Sequence, residues 1–103
     1  MTNFHNLKQI TSGGIRTATG TVLSAPTHNG DRRYLIVQNL GTNPLFIKFG
    51  AGASITDFHV VLKGGNVADD GTAGFYEQKE AGIWQGDISI AGTSPRYILD
   101  ETI

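Results

Sequence analysis

Residues 41–47 read Gly-Thr-Asn-Pro-Leu-Phe-Ile and residues 92–98 read Gly-Thr-Ser-Pro-Arg-Tyr-Ile, so one turn sequence occurs twice in the chain. Each copy follows an apolar run, at residues 34–37 and 88–91. Because Gly and Pro interrupt strand pairing whereas β-branched and aromatic residues favour it, each copy predicts a strand, a tight turn and a second strand. Two such hairpins half a chain apart predict the two layers of one small β domain.

Short alternating segments divide the rest of the chain. We predict strands at residues 6–10, 15–23, 32–39, 45–49, 57–63, 82–91 and 96–99. By alternation, the side chains expected to face the core are Leu45, Ile47, Phe49, Phe58, Val60, Leu62, Trp84, Ile88 and Ile90. Turn signals recur at intervals of about ten residues, which is typical of antiparallel architectures. The pattern predicts an all-β fold of about seven to eight short strands, either a small antiparallel β-sandwich or a jelly-roll-like barrel.

Helical periodicity is nearly absent from the chain. No window places apolar residues at i, i+3, i+4 and i+7. Residues 76–81 contain helix formers, but Gly74 and Gly82 flank them, so we expect one helical turn at most. Residues 64–74 are acidic and contain several glycines, which predicts a long loop. Residues 50–54 resemble a phosphate-cradling loop but lack the Lys and the following helix, so we interpret them as a connector.

Length and composition narrow the class of protein. The chain has 103 residues and a mass of 11.0 kDa, which predicts one β domain over residues 1–103, with residues 1–10 as a candidate N-terminal arm. Its net charge is −1, and dedicated nucleic-acid binders carry a basic excess, so we expect no nucleic-acid partner. The chain shows no signal peptide and no apolar stretch of about 20 residues, so we expect a soluble protein with no membrane partner.

No motif of an enzyme or a metal centre is present. The sequence lacks a nucleophile elbow, a zinc-protease helix and paired carboxylates in a setting that tunes their pKa values, so we expect no enzymatic activity and no cofactor. The absence of cysteine excludes disulfides and thiolate metal sites. The histidines His5, His28 and His59 are far apart, and we interpret His59 as a surface residue rather than a zinc ligand.

Two charged stretches have simple structural interpretations. The segment at residues 66–72 contains Asp69 and Asp70 and offers oxygen ligands for calcium, but it lacks the order of an EF-hand loop. We interpret it as an Asp-Gly turn. Arg32 and Arg33 form a basic pair beside Asp31. We interpret them as solvent-exposed side chains at the start of a strand.

The aromatic residues divide into core and surface groups. Trp84, Phe49 and Phe58 lie on predicted inner faces, whereas Phe4, Phe46 and Tyr76 lie on outer faces or loops. Outer rings anchor protein contacts, stack on sugars or cover the second side of a sheet, and the pattern does not choose among these roles. The candidate interface residues are Phe4, His5, Phe46 and Tyr76.

Residues 33–50 read R-Y-L-I-V-Q-N-L-G-T-N-P-L-F-I-K-F-G, and this stretch resembles small virion proteins of tailed bacteriophages. These proteins have a similar strand and turn and an aromatic second strand that ends in Lys-Phe-Gly. Residues 57–65 and 83–92 are similar to their later strands, so the resemblance spans residues 32–101. It implies a β-rich protein associated with the capsid or the tail, often oligomeric. It implies no functional residues, because the matched positions are turn and core positions.

The resemblance, the small size and the absence of a chemical site favour a structural virion protein made in the host cytoplasm. We expect a capsid decoration, or cement, protein that binds and stabilises the assembled shell. Its partners would be the major capsid protein or other virion proteins, and we expect a homotrimer or another cyclic oligomer. The alternatives are a tail, neck or head-fibre component, and a carbohydrate-binding β-sandwich module that acts through exposed aromatics and residues 64–74.

Overall fold

A computed structural model describes residues 14–27, 30–79 and 82–103 of the chain. Within these ranges there are seven strands and no helix: β1 (Gly20–Leu23), β2 (Tyr34–Asn39), β3 (Leu45–Phe49), β4 (Val60–Leu62), β5 (Phe75–Lys79), β6 (Ile88–Ala91) and β7 (Tyr97–Thr102). They form a four-stranded sheet in the order β1-β6-β3-β4 and a three-stranded sheet in the order β5-β2-β7, with antiparallel pairing throughout. The two sheets pack as a small β-sandwich, so the prediction of an all-β sandwich is confirmed. The strand predicted at residues 6–10 and the candidate arm lie outside the described residues.

The repeated turn sequence connects the two sheets rather than closing two hairpins. The first copy joins β2 to β3, yet β2 pairs with β5 and β7, whereas β3 pairs with β4 and β6. The second copy joins β6 to β7 in the same way, from one sheet to the other. The prediction of hairpins is therefore wrong, and the prediction of two layers is confirmed. Each copy ends a strand of one sheet and leads into a strand of the other sheet. The apolar faces of the two strands are buried in the core between the sheets.

The two connections lie against each other at one end of the sandwich. The Leu40 N–H donates to the Arg96 carbonyl at 2.8 Å, and the Asn43 side-chain amide donates to the Thr93 carbonyl at 3.0 Å. Ser94 adopts a left-handed backbone conformation, with φ of 44°, whereas no non-glycine residue of the first copy does so. The two copies thus share a role in the fold but differ in local backbone.

Alternating apolar side chains fill the space between the sheets. The largest contributors are Leu35, Val37, Leu45, Ile47, Ile88, Ile90, Tyr97 and Leu99. The predicted inward positions in β3 and β6 are confirmed, because these residues lie within regular strands. Phe58 and Trp84 were expected in the core but are 36% and 38% exposed. Each precedes its strand, since β4 begins at Val60 and β6 at Ile88, so strand alternation does not extend to them.

β5 lies in the segment for which we predicted at most one helical turn. Its burial alternates, with Tyr76 and Gln78 partly buried and the residues between them exposed. It pairs with β2 over its whole length, and this pairing outweighs the helix propensity of Glu, Gln and Lys. The prediction for residues 76–81 is therefore wrong over residues 76–79, whereas the long loop between β4 and β5 is confirmed.

Arg32 forms a buried network at the end of the sandwich opposite the two connections. It is 1% exposed, and its Nε donates to Glu101 Oε1 at 2.8 Å. Its remaining nitrogens donate to the carbonyls of Trp84, Gly86 and Ser24 at 2.8–3.1 Å. These bonds join the loop before β2, the loop before β6 and strand β7. The expectation of a solvated Arg32 is therefore wrong, because the two loops fold over the guanidinium.

At the end of the sandwich with the two connections, the neutral side chain of Asn39 forms several hydrogen bonds. Asn39 accepts a hydrogen bond from the Gly41 N–H at 2.9 Å and donates to the Lys63 carbonyl at 3.1 Å. This brings the segment after β4 onto the first connection, where the Gly65 N–H donates to the Gly41 carbonyl at 2.8 Å. A Cβ at Gly64 would overlap the Thr42 carbonyl, so the close approach requires glycine there.

Candidate binding surface

The outer face of the four-stranded sheet carries a row of apolar side chains. Phe46 in β3 lies directly opposite Val61 in β4 and Ala91 in β6. Directly opposite residues of antiparallel strands point to the same face, and the neighbours of Phe46 in β3 are buried, so this row faces outward. The Phe58 ring packs edge-on against Phe46, with centroids 4.9 Å apart. We call Phe46, Phe58, Val61 and Ala91 the outer strip.

The outer strip is apolar and partly exposed, and one ion pair lies on the same face. Val61 is 47% exposed and Phe58 is 36% exposed. On the same face, the Lys48 ammonium lies 2.6 Å from the Asp57 carboxylate, so these two charges compensate each other. Asp57 is largely exposed, and such a pair contributes little to stability. The surface is therefore suited to apolar contact with a partner rather than to attraction by charge.

A second group of rings packs around the last residue of β3. Phe49 lies at its centre, with the ring centroids of His59, Tyr76 and Trp84 at 5.4, 6.0 and 6.2 Å. The Phe49 N–H donates to His59 Nδ1 at 3.0 Å, so the imidazole accepts through that nitrogen. A Cβ at Gly86 would lie 2.5 Å from the Trp84 ring, so a residue without a side chain is needed beneath it. These contacts give the rings a packing role.

The candidate interface residues do not share one surface. Phe46 lies on the outer face, as predicted. Tyr76 was assigned to an outer face or loop, but it lies opposite the buried Val37 and packs against the core, so that assignment is wrong. Phe4 and His5 lie outside the described residues. An interface role for these residues stays a prediction.

Phe58 is the surface residue that sequence reasoning missed. It was assigned to an inner face because strand alternation was extended back from Val60. A turn comes directly before Phe58, in which Ser54 and Asp57 exchange backbone hydrogen bonds of 3.0 and 3.3 Å. Phe58 therefore belongs to a loop and not to a strand. This turn ends one run of alternation and sets the Phe58 ring against Phe46.

The acidic segment is a turn whose carboxylates already have donors. Asp70 accepts hydrogen bonds from the Thr72 backbone and hydroxyl at 2.9 and 2.6 Å, and the hydroxyl contributes most to lowering the pKa of Asp70. Asp69 accepts two bonds from the Arg96 guanidinium at 2.7 and 2.8 Å, which lowers the pKa of Asp69. The interpretation as a turn is confirmed, but its central residues are Ala68 and Asp69, since the Asp70 N–H donates to the Val67 carbonyl at 3.3 Å. Asp69 also joins this loop to the second connection.

The other candidate positions form no recognisable chemical centre. In the parts of the chain that the structure describes, no three of the His, Asp and Glu side chains come together as a metal site. His59 is exposed, as expected, whereas His5 and His28 lie outside those parts. A groove of about 290 Å³ lies beside Arg33, Ile83 and Gln85. The polar atoms of Gln85 in its wall bond the backbone of Arg32 at 2.8 and 3.0 Å, so they serve the fold.

Comparison of the chain with protein-family models, with curated proteins and with solved structures finds no match. Over the described residues there is also no helix long and apolar enough to cross a bilayer.

Proposed function

We propose that this chain is a structural virion protein of a tailed phage, and that it decorates the capsid by binding the assembled shell through the outer strip. The single observation that carries the proposal is the apolar row on the outer face of the four-stranded sheet, where Phe58 and Val61 are exposed and Phe46 is partly buried. Apolar side chains exposed together in this way are typical of protein interaction sites. The resemblance of residues 32–101 to small virion proteins supports a shell as the partner.

Shell stabilisation follows from mass action. A protein that binds only the assembled shell shifts the equilibrium away from free capsid subunits. The outer strip is small, so a single contact would be weak. Many copies on one lattice, or several copies in one oligomer, make weak contacts sufficient because each bound site raises the effective concentration at the next. We propose a homotrimer or another cyclic oligomer for this reason.

The N-terminal segment is the second proposed contact. Residues 1–10 lie outside the described residues, and the proposal is that they reach a neighbouring subunit. Extended termini commonly supply such contacts in assemblies. A chain lacking residues 1–10 should bind capsids more weakly than the full chain, and unchanged binding would contradict this part of the proposal.

The number of copies per particle tests decoration against a place in the tail. A decoration protein repeats with the shell lattice, so purified virions should contain on the order of hundreds of copies. A tail, neck or head-fibre component has the symmetry of that structure and should be present in few copies. Quantitative mass spectrometry of purified particles, with the major capsid protein as the internal standard, distinguishes these outcomes. A count of a few copies, or none, would contradict decoration.

The carbohydrate-binding alternative has one specific observation in its favour, which is the partly exposed ring of Trp84. The inward position of Tyr76 counts against it, because Tyr76 was one of the rings expected to stack on a sugar. A glycan array with the wild-type chain and the Trp84→Ala variant tests this function. Binding that disappears in the variant would support it, and an array without hits would exclude the glycans it displays.

A further inference from the structure

Strand β5 is an open edge of the three-stranded sheet. It has five residues and pairs only with β2 among the described strands. The other edges are less regular: β4 has three residues, β1 contains a register shift, and β7 is bridged by Arg16 at Tyr97. β5 is therefore the longest regular edge with backbone groups available to another strand.

The hydrogen-bond pattern shows which residues of β5 face away from the sheet. The Asn39 N–H donates to the Gly74 carbonyl at 3.0 Å, so these two residues occupy a bonded position of the β2–β5 register, with one bond because the Gly74 N–H donates to the Lys63 carbonyl. Such pairs alternate along antiparallel strands, so every second residue counted from Gly74 directs its backbone toward β2. The residues between them direct their backbone N–H and C=O groups outward: Phe75, Glu77 and Lys79.

The charges on this edge are complementary to a second copy in one register. If two β5 strands pair antiparallel about a two-fold axis at Gln78, Glu77 of each copy lies opposite Lys79 of the other. Opposite charges at directly facing positions favour pairing. Within one chain the Lys79 ammonium lies 3.7 Å from the Glu77 carboxylate, which also accepts from the Tyr34 hydroxyl at 2.6 Å. The Glu77 and Lys79 side chains are 36% and 70% exposed, so both are accessible to a second copy. The register centred on Glu77 instead places two carboxylates opposite each other, and the one centred on Tyr76 pairs no opposite charges.

We propose that two copies of this chain associate through β5, antiparallel and centred on Gln78, to form one continuous sheet across a two-fold axis. Strand addition at a sheet edge supplies backbone hydrogen bonds, and the two Glu77–Lys79 pairs select the register. Charged residues on an edge normally oppose pairing with unrelated strands. Here the same charges oppose other registers and favour a second copy of this chain. The inference does not depend on capsid binding.

Charge reversal tests the pairing through the mass of the protein in solution. Sedimentation equilibrium of the full chain should show a dimer, or a hexamer if a trimeric contact forms as well. Glu77→Lys and Lys79→Glu should each weaken the two-fold association by at least about tenfold, because each places like charges opposite each other. The double variant E77K/K79E should restore it. Lys63→Glu is the matched control, since Lys63 is exposed and follows β4, outside the proposed pairing strand.

A backbone variant separates loss of pairing from loss of the fold. The Lys79 N–H points away from β2, so Lys79→Pro removes an outward donor without removing a bond of the β2 ladder. Its far-ultraviolet circular dichroism should match that of the wild type, and its mass should be that of the unpaired form. A wild-type chain without two-fold association at high concentration would overturn the proposal. So would a dimer that none of these variants weakens.

Discussion

In a simple sandwich, charged side chains are exposed and apolar side chains are buried. The Arg32 network and the outer strip depart from this pattern in opposite ways. Arg32 is a charged residue that the fold buries, and its guanidinium donates to three loop carbonyls and one carboxylate. Phe58 and Val61 are apolar residues that the fold leaves exposed. A buried charge is tolerated only where its hydrogen bonds are made, and here they are made within the chain. The exposed side chains of the outer strip, in contrast, remain accessible to another molecule.

This difference separates stability from binding. Arg32 connects two loops to β7, so its loss should affect the whole fold. The outer strip contributes little to the core, so its loss should affect contacts with another molecule. Four substitutions follow in order of expected effect on the free energy of unfolding, and two of them, Arg32→Ala and Val61→Ser, test this separation directly.

Arg32→Ala should have the largest effect. It leaves the Glu101 carboxylate, whose side chain is 10% exposed, without the guanidinium that neutralises it. Breaking a buried pair from one side costs about 3–5 kcal/mol of the free energy of unfolding, which urea denaturation measures. Arg33→Ala is the matched control, because Arg33 is adjacent but exposed. Equal losses in the two variants would contradict the assignment of Arg32 as the connecting residue.

Gly64→Ala should have the next largest effect, at the opposite end of the sandwich. Its added methyl group would overlap the Thr42 carbonyl, so the loop after β4 must move away from the first connection. Overpacking of this kind costs about 1–3 kcal/mol. Gly41→Ala is the control, because a Cβ there finds its nearest neighbour at 3.6 Å and the backbone is not left-handed. If both variants unfold at the same urea concentration, the close approach at Gly64 is not structurally important.

Val61→Ser should change stability little. Val61 is 47% exposed, and surface substitutions of this kind usually change the free energy of unfolding by less than about 0.5 kcal/mol. Chemical denaturation of the variant beside the wild type measures the difference. A loss comparable to that of Arg32→Ala would mean that the outer strip is part of the core.

Asp69→Asn should have the smallest effect, and one that depends on pH. The Arg96 guanidinium lowers the pKa of Asp69 below its ordinary value of 3.8, so the pair stabilises the fold at neutral pH. A carboxyl with a lowered folded-state pKa loses this contribution as pH falls from about 4 through the folded value. The wild type should therefore lose more stability in that window than the variant, as thermal unfolding between pH 6 and pH 2 would show. Parallel pH profiles would contradict a role for the pair.

The sequence predicts the layers of this fold better than its connections. Alternation at Leu45 and Ile47 identifies the core side of β3 because every residue there belongs to a regular strand. The same alternation fails at Phe58 and Trp84, which lie before their strands begin. The repeated turn predicts where strands end, but a turn sequence does not say whether the next strand returns to the same sheet. That choice depends on the pairing of β2 with β7 and of β3 with β6, which are contacts between distant residues.

The candidate site was predictable only in part, for a similar reason. Phe46 follows from alternation within β3, and Val61 lies between the predicted inward positions Val60 and Leu62. The burial of Arg32 could not be predicted, because its acceptors come from Ser24, Trp84 and Gly86, which only the folded chain brings together. A basic pair beside an aspartate has the same sequence pattern whether loops cover it or not.

Co-sedimentation with purified empty capsids of a tailed phage tests the proposal of shell binding most directly. The wild-type chain should sediment with the shells and saturate them. The double variant F46S/V61S should bind at least about tenfold more weakly, because exposed apolar anchors supply most of the contact energy of such a surface. Val67→Ser is the matched control, since Val67 is 64% exposed but lies in the loop between β4 and β5. A wild-type chain that stays in solution, or an F46S/V61S variant that binds as well as the control, would contradict the account.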